Sequence, residues 1–192
     1  MNDSVVMLKR QKPYVVKGAS DILSGREEGK GLAEKALKHL ESLEPNSVVP
    51  LDFSKARFMD FSCADEFLTK VLRRITSGEL GTRYIVLQGM SPTLEENVVA
   101  ALTLRDIACP KITKDGSVEL IGKISTELID TYKLAARKGR ITARDVVAIA
   151  PRVGISAISN RLTKLQKMGL LLRTKEFGGE AGGRQFVYES VS

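Results

Sequence analysis

Two stretches of this 192-residue chain carry side chains whose types and spacing can do chemistry. The first is Asp60-Phe61-Ser62-Cys63-Ala64-Asp65-Glu66, which sets a hydroxyl and a thiol among acids. A serine at the start of a helix can cap the free amides there. A phosphate on that serine would meet the same amides and the positive end of the helix dipole. Asp65 and Glu66 would repel such a phosphate. Asp60, Asp65 and Glu66 are candidate partner contacts. With Asp52 they are also oxygen donors for a cation, although such acids are equally expected on a solvated rim. Cys63 has two opposed expectations: a helix start lowers a thiol's pKa, whereas burial in an apolar helix leaves it inert. The second stretch runs from Ser156 to Lys167. At helical spacing Ile158, Leu162 and Leu165 share one face, and Ser156, Asn160, Lys164 and Lys167 share the opposite one, with Arg161 on the flank. Asn pairs in bidentate fashion with adenine and Arg with guanine, while Lys and Ser more often hold phosphates. An ordinary solvated helix face would use the same residue types. Beyond it, Arg173, Lys175 and Arg184 favour phosphate, while Glu176 and Glu180 oppose it.

Other chemistries find little material. The single histidine, His39, sits with Lys38 and Glu41 on a helix and is expected to face solvent. No Ser/His/Asp or Cys/His set can be assembled around it. Arg26-Glu27-Glu28-Gly29-Lys30-Gly31 looks like a phosphate loop, but a Walker loop needs Gly where Ser24 stands and Ser or Thr at Gly31. Cys63 and Cys109 lack metal-ligand spacing. No enzyme, cofactor or metal is expected. The charge is uneven. From Ser125 onward twelve Lys and Arg stand against six Asp and Glu, whereas residues 1–124 hold eighteen against seventeen. Almost all of the net +7 therefore lies in the last third, which points to a polyanion partner such as nucleic acid. No apolar run approaches the roughly 18 residues of a membrane helix. The opening MNDSVVMLKRQK has acid before and base after its apolar stretch, the wrong order for a secretory signal. With only two cysteines, a cytoplasmic setting is the simpler expectation.

The elements that must position these residues follow from periodicity. Ser4–Lys9 and Tyr14–Lys17 read as short strands. Arg26–Leu43 reads as a helix with Leu32, Ala33, Ala36, Leu37, Leu40 and Leu43 along one stripe. Ser47–Phe53 reads as a strand in which Pro50 implies a bulge or an edge position. Cys63–Thr76 is expected as a helix, with Phe67, Leu68, Val71, Leu72 and Ile75 on its apolar face. Tyr84–Leu87 reads as a buried strand. A helix from Pro92 to about Arg105 is expected to be capped by Ser91. Strands alternating with helices imply a sheet covered by helices. PKITKDGSVELIG carries an Asp-Gly turn between β-prone runs, and a domain boundary is expected close to Lys123. After it come a helix capped by Ser125 or Thr126 and ended by Gly139, a short helix from Thr142 through Ala150, and a helix from Ser156 to Gly169. Two strands, Leu170–Phe177 and Gln185–Ser190, close the pattern around the link GGEAGGR.

Three helices and a β-hairpin in this order resemble a winged helix. Ile141–Arg173 resembles winged-helix regulators of the MarR and ArsR kinds through Gly154-Ile155-Ser156 at the turn, Arg161-Leu162 and Leu165 along the helix, and Gly169-Leu170-Leu171 entering the wing. The resemblance implies double-stranded DNA as partner, contacted by Ser156, Asn160, Arg161, Lys164, Lys167, Arg173 and Arg184, and a homodimer on paired half-sites. Some winged helices bind only protein. The first domain is similar to the STAS-like domains related to anti-sigma factor antagonists. The likeness rests on Gly25-Arg26-Glu27-Glu28-Gly29 opening a helix and on Leu51-Asp52-Phe53 followed by Asp60 to Glu66. In those antagonists the corner reads Asp-Ser-Ser-Gly, and a partner kinase phosphorylates the second Ser. Aligned on Asp60 that position is Ser62, while Phe61 and Cys63 stand where the family has Ser and Gly. Ser62 is thus a candidate switch, although an N-cap role alone accounts for it and is the favoured expectation. The expected architecture is an α/β STAS-like domain over residues 1–122, a mixed sheet covered by helices, and a winged helix over residues 123–192. The expected function is DNA-binding transcriptional regulation. The competing expectation is a protein-interaction switch that docks on an ATPase or anti-sigma-like kinase without binding DNA.

Overall fold

The computed structural model describes residues 7–177 and 184–192, with the side chains of all of these except Glu176, Phe177 and Arg184. The expected link GGEAGGR, Glu180, and the side-chain roles given to Glu176 and Arg184 lie outside the described residues. So does half of the expected strand Ser4–Lys9, through Val6. Contacts divide the chain into two compact units, residues 9–124 and residues 125–191. Met7 and Leu8 group with the second unit, where the Leu8 N–H donates to the Glu189 carboxylate at 3.3 Å. Ser192 groups with the first.

The first unit is an α/β layer built on a mixed six-stranded sheet. In chain order its elements are β1 (Lys9–Arg10), β2 (Tyr14–Val15), β3 (Ile22–Leu23), α1 (Arg26–Glu41), β4 (Ser47–Asp52) and β5 (Phe58–Met59). Next come α2 (Phe61–Ala64), a π turn (Asp65–Thr69), α3 (Lys70–Thr76), β6 (Tyr84–Gln88), α4 (Pro92–Leu104), β7 (Ala108–Ile112) and β8 (Val118–Gly122). Strands β1, β2, β4, β6 and β7 are parallel, and β8 returns antiparallel to β7 around the turn at Asp115-Gly116. β3 and β5, which periodicity did not foresee, form a separate parallel pair. The α1 helix packs beside α2 and the π turn, which pack beside α4, so the helices form one layer. Leu32, Ala33, Ala36, Leu37 and Leu40 bury the stripe of α1 as its spacing implies. Phe67, Leu68, Val71, Leu72 and Ile75 do the same for the next helix. Fully burying a large apolar side chain contributes roughly 1.5–3 kcal/mol.

Pro50 is not in an edge strand. β4 lies between β6 and the β1/β2 side, without a bulge in its pairing to β6. The Val48 and Asp52 carbonyls accept from Gln11 and Val16, so Pro50, of the same parity, faces that side of the sheet too. There the neighbouring strand is interrupted: β1 pairs with Ser47 and Val48, and β2 with Leu51 and Asp52. The missing proline N–H falls in the gap, where no ladder bond is lost.

The second unit is three helices against a three-stranded antiparallel sheet. Its elements are α5 (Thr126–Lys138), β9 (Arg140–Ile141), α6 (Ala143–Ile149), α7 (Ile155–Lys167), β10 (Leu171–Phe177) and β11 (Arg184–Ser190), with strand order β10-β11-β9. Thr142 and Asp145 form a reciprocal capping box at α6, and Gly139 ends α5 at φ 75°. Leu128, Tyr132, Ala135, Val146, Ile158, Leu162, Leu165 and Leu171 are buried. The Tyr132 hydroxyl donates to the Val191 carbonyl at 2.8 Å. β9 is the unforeseen strand here, two residues long, and only its pairing with Tyr188 and Glu189 defines it. Among the described residues no helix is long and apolar enough to cross a membrane.

Candidate functional site

The exposed face of α7 gathers most of the nucleic-acid candidates. α7 begins at Ile155 with Gly154 as N-cap, so Ser156 lies inside the first turn and does not open the helix. Ile158, Leu162 and Leu165 fix one side in the core, with exposures of at most 1%. The 3.6-residue repeat then projects Ser156, Asn160, Lys164 and Lys167 outward, and all four are exposed. Arg161 is half-buried on the flank. The Glu127 carboxyl is held below its usual pKa first by backbone and Ser125 hydrogen bonds, and then by the positive field of Arg161. Lys164 and Lys167 pair with no carboxylate among the described residues. On β10, Arg173 is exposed and its guanidinium lies 4.6 Å from the centre of the Phe186 ring. Two further arginines, Arg144 in α6 and Arg152 in the turn before α7, are exposed and equally unpaired. The sequence reading left them out. Their signal was position, since both lie in the segment that leads into α7.

The other candidate region is the corner between β5 and α2. The N-cap here is Asp60, and Ser62 does not cap. The Asp60 carboxylate accepts from the Cys63 N–H at 2.7 Å, from the Gly25 N–H at 2.9 Å and from the Ser24 hydroxyl. One side chain therefore joins the start of α2 to the start of α1. Burial pushes the Asp60 pKa up, but hydrogen bonds from Ser24, Cys63, Gly25 and Ser62 together outweigh it and hold the group below its ordinary value. Ser62 is half-buried in the first turn. The helix starts two residues earlier than periodicity implied because an aspartate three residues before Cys63 satisfies the first free amides as well as a serine would.

Asp65 faces inward. Its side chain is 9% exposed and takes both a 2.8 Å and a 2.6 Å hydrogen bond from Arg105, a bidentate pair. Those bonds, against desolvation and with the fields of Arg105, Arg26 and Arg73, hold its carboxyl below the usual range. The expected partner contact at Asp65 is thus occupied from within the fold. Glu66 pairs with Lys70 one turn on, at 2.6 Å. Asp52 accepts from the Ser54 N–H. The acids do not converge, and among the described residues no three potential metal ligands come together. Cys63 is fully buried and its pKa is pushed up to about 12, by burial first and by Glu28 and Asp60 next, so the inert expectation is the one that fits. His39 is half-buried and stacks on Tyr14 with ring centres 5.0 Å apart, where solvent exposure was expected.

The first unit also has an open groove of about 1240 Å³ beside α4, at the carboxyl ends of β6 and β7. Met90, Val99, Leu104 and Ile112 make it mostly apolar. Lys111 on its floor is tied to Glu95 at 2.7 Å and to Glu119 at 3.2 Å. No protein-family model matches the chain, and neither the curated proteins nor the solved structures searched contain a match.

Proposed function

We propose that this chain is a DNA-binding transcriptional regulator. In this reading residues 125–191 act as a winged helix, α7 reads the major groove, and the α/β unit is a STAS-like domain that controls or recruits it. The observation that carries the reading is the α7 face. Ser156, Asn160, Lys164 and Lys167 stand in one exposed row on a helix whose other side is locked in the core, and among the described residues the lysines pair with no carboxylate. The basic excess from Ser125 onward supports it. Asn160 sits where a base edge is reached, and Lys164 and Lys167 sit where phosphate runs.

The test is titration of labelled duplex with the full-length protein over a range of salt. Affinity should fall steeply with salt, and Lys164→Ala should flatten the slope by about one unit. Asn160→Ala should cost about 1–3 kcal/mol on the preferred sequence and little elsewhere. A parent protein that binds no duplex at low salt removes the reading.

A second reading, a protein-interaction switch of the anti-sigma antagonist type, draws on the apolar groove beside α4 and on Ser62 in the first turn of α2. It requires an ATPase or kinase-like partner and phosphate on Ser62. Mass spectrometry of the protein from its host, showing Ser62 unmodified across growth conditions, would retire it.

A further inference from the structure

The two edges of the six-stranded sheet are built differently. At one edge the strand is broken into β1 and β2, of two residues each, and Lys9, Arg10 and Lys12 stand on or beside it. Interruption and charge guard an edge against pairing with another chain. At the other edge β8 runs unbroken from Val118 to Gly122, with no proline, bulge or lysine. Its register shows which backbone groups are free. The Lys123 N–H donates to the Ile107 carbonyl, and the Thr113 N–H to that of Ser117. The residues bonded to β7 are therefore Ser117, Glu119, Ile121 and Lys123. The N–H and C=O groups of Val118, Leu120 and Gly122 point the other way and have no partner among the described residues.

We infer that two copies of this chain pair through β8, antiparallel about a two-fold axis at Leu120, and so join their sheets into one. The inference concerns the first unit and does not depend on the DNA-binding reading. In that register Leu120 lies opposite the partner's Leu120, and Val118 opposite the partner's Gly122. These are hydrogen-bonded pairs, two bonds each, so about six main-chain bonds form. The side chains of Val118 and Leu120, half-buried on one face of the strand, meet across the axis. On the opposite face Glu119 falls diagonal to the partner's Lys123, within reach of a long side chain. The strand carries its acid before the axis and its base after it, so antiparallel pairing sets acid against base. A parallel copy would align Glu119 with Glu119. Lys123 already meets Asp106, but both side chains are well over half exposed, and such pairs hold their members weakly. The edge is thus complementary to itself, which is what an isologous contact requires. A five-residue strand pair is at the small end of stable interfaces, so the dissociation constant should be on the order of 10 μM.

The full-length protein, with no duplex present, is followed by sedimentation equilibrium over about a hundredfold range of concentration around that value. The parent should pass from monomer to dimer. Leu120→Pro removes an outward N–H and no bond to β7, because Leu120 and Pro110 form a pair without hydrogen bonds. Leu120→Lys sets like charges opposite each other at the axis. Each should raise the dissociation constant by about tenfold or more. Leu120→Cys should be joined to its copy by a short bismaleimide, since the two positions lie about 5.5 Å apart, and Val118→Cys, about 14 Å from its copy, should not. Cys63 and Cys109 are buried and stay out of the reaction. A parent that remains monomeric at the highest concentration overturns the inference. So does a dimer that both Leu120 variants leave intact, or one that links at position 118 and not at 120, because the contact then lies elsewhere in the chain. Thermal melting by circular dichroism checks each variant. If Leu120→Pro melts early, Leu120→Lys and the two cysteine variants decide.

Discussion

Certain charges in the packed helical layer of the first unit and those on the exposed face of α7 are treated in opposite ways. Within residues 9–124, Asp65 is clasped by Arg105, Lys111 by Glu95 and Glu119, Glu66 by Lys70, and Arg74 by Glu41 and Glu79. On α7, Lys164 and Lys167 stand in a row with no carboxylate in reach among the described residues, as do Arg144 and Arg152 nearby. Of these pairs, Asp65–Arg105 and Arg74–Glu41 join one helical segment to another, and Lys111 joins β7 to α4 and β8. A row of cations with no partner among the described residues is not accounted for by pairing within the fold, and in the proposed reading its field meets an ordered polyanion. The comparison teaches that the sequence marks the second unit by its net charge, while only the fold shows which charges are paired. Asp65, Lys111, Glu66 and Arg74 meet opposite charges, and Lys164 and Lys167 meet none among the described residues.

The largest expected effect breaks the comparison on the α7 side. Lys164→Glu together with Lys167→Glu should lower duplex affinity by about a hundredfold or more near 0.1 M salt, with the melting temperature unchanged, because the pair has no structural partner. Equal loss of fold and affinity would show that these lysines are structural after all. Next comes Asp65→Asn, which leaves Arg105 without its anion and should cost about 2 kcal/mol in denaturant unfolding while duplex binding stays as in the parent. Its pH signature has a definite sign. The folded carboxyl titrates below its ordinary value near 4, so its contribution is complete above that value and is lost as pH falls through the depressed one. Unfolding curves from about pH 6 to about pH 3 should therefore be flatter in Asp65→Asn than in the parent. The smallest contrast lies at the corner. Asp60→Ala should cost about 1 kcal/mol as a lost cap, and Ser62→Ala should stay within about 0.5 kcal/mol. The reverse ranking would return the capping role to Ser62.

Much of this was legible locally. The α1 stripe, the cap at Ser91, the Gly139 stop and the burial of Ile158, Leu162 and Leu165 all follow from 3.6-residue spacing and cap chemistry. The strands β3, β5 and β9 were not legible. Each is two residues long and exists only through pairing with a distant segment. The corner was half legible: Asp60 to Glu66 drew notice as a set, but the roles within it did not. Asp60 caps through the Cys63 N–H three residues on, but that it also ties α2 to Ser24 and Gly25, thirty-six and thirty-five residues earlier, left no local trace. Asp65 turns inward because Arg105 waits forty residues away. Phe186 carried no signal, since an alternating strand does not reveal which of its faces meets a helix.

By itself the sequence determined the alternation of strand and helix, the change of pattern after Cys109, the concentration of positive charge from Ser125 onward and the polar face of α7, because these depend on neighbours within a few residues. The tertiary structure decided which acids are spent inside the fold, that Pro50 can sit in a middle strand opposite a broken one, and that Arg173 and Lys175 close on Phe186. Those outcomes depend on which distant segments pack together, and local spacing holds no record of that.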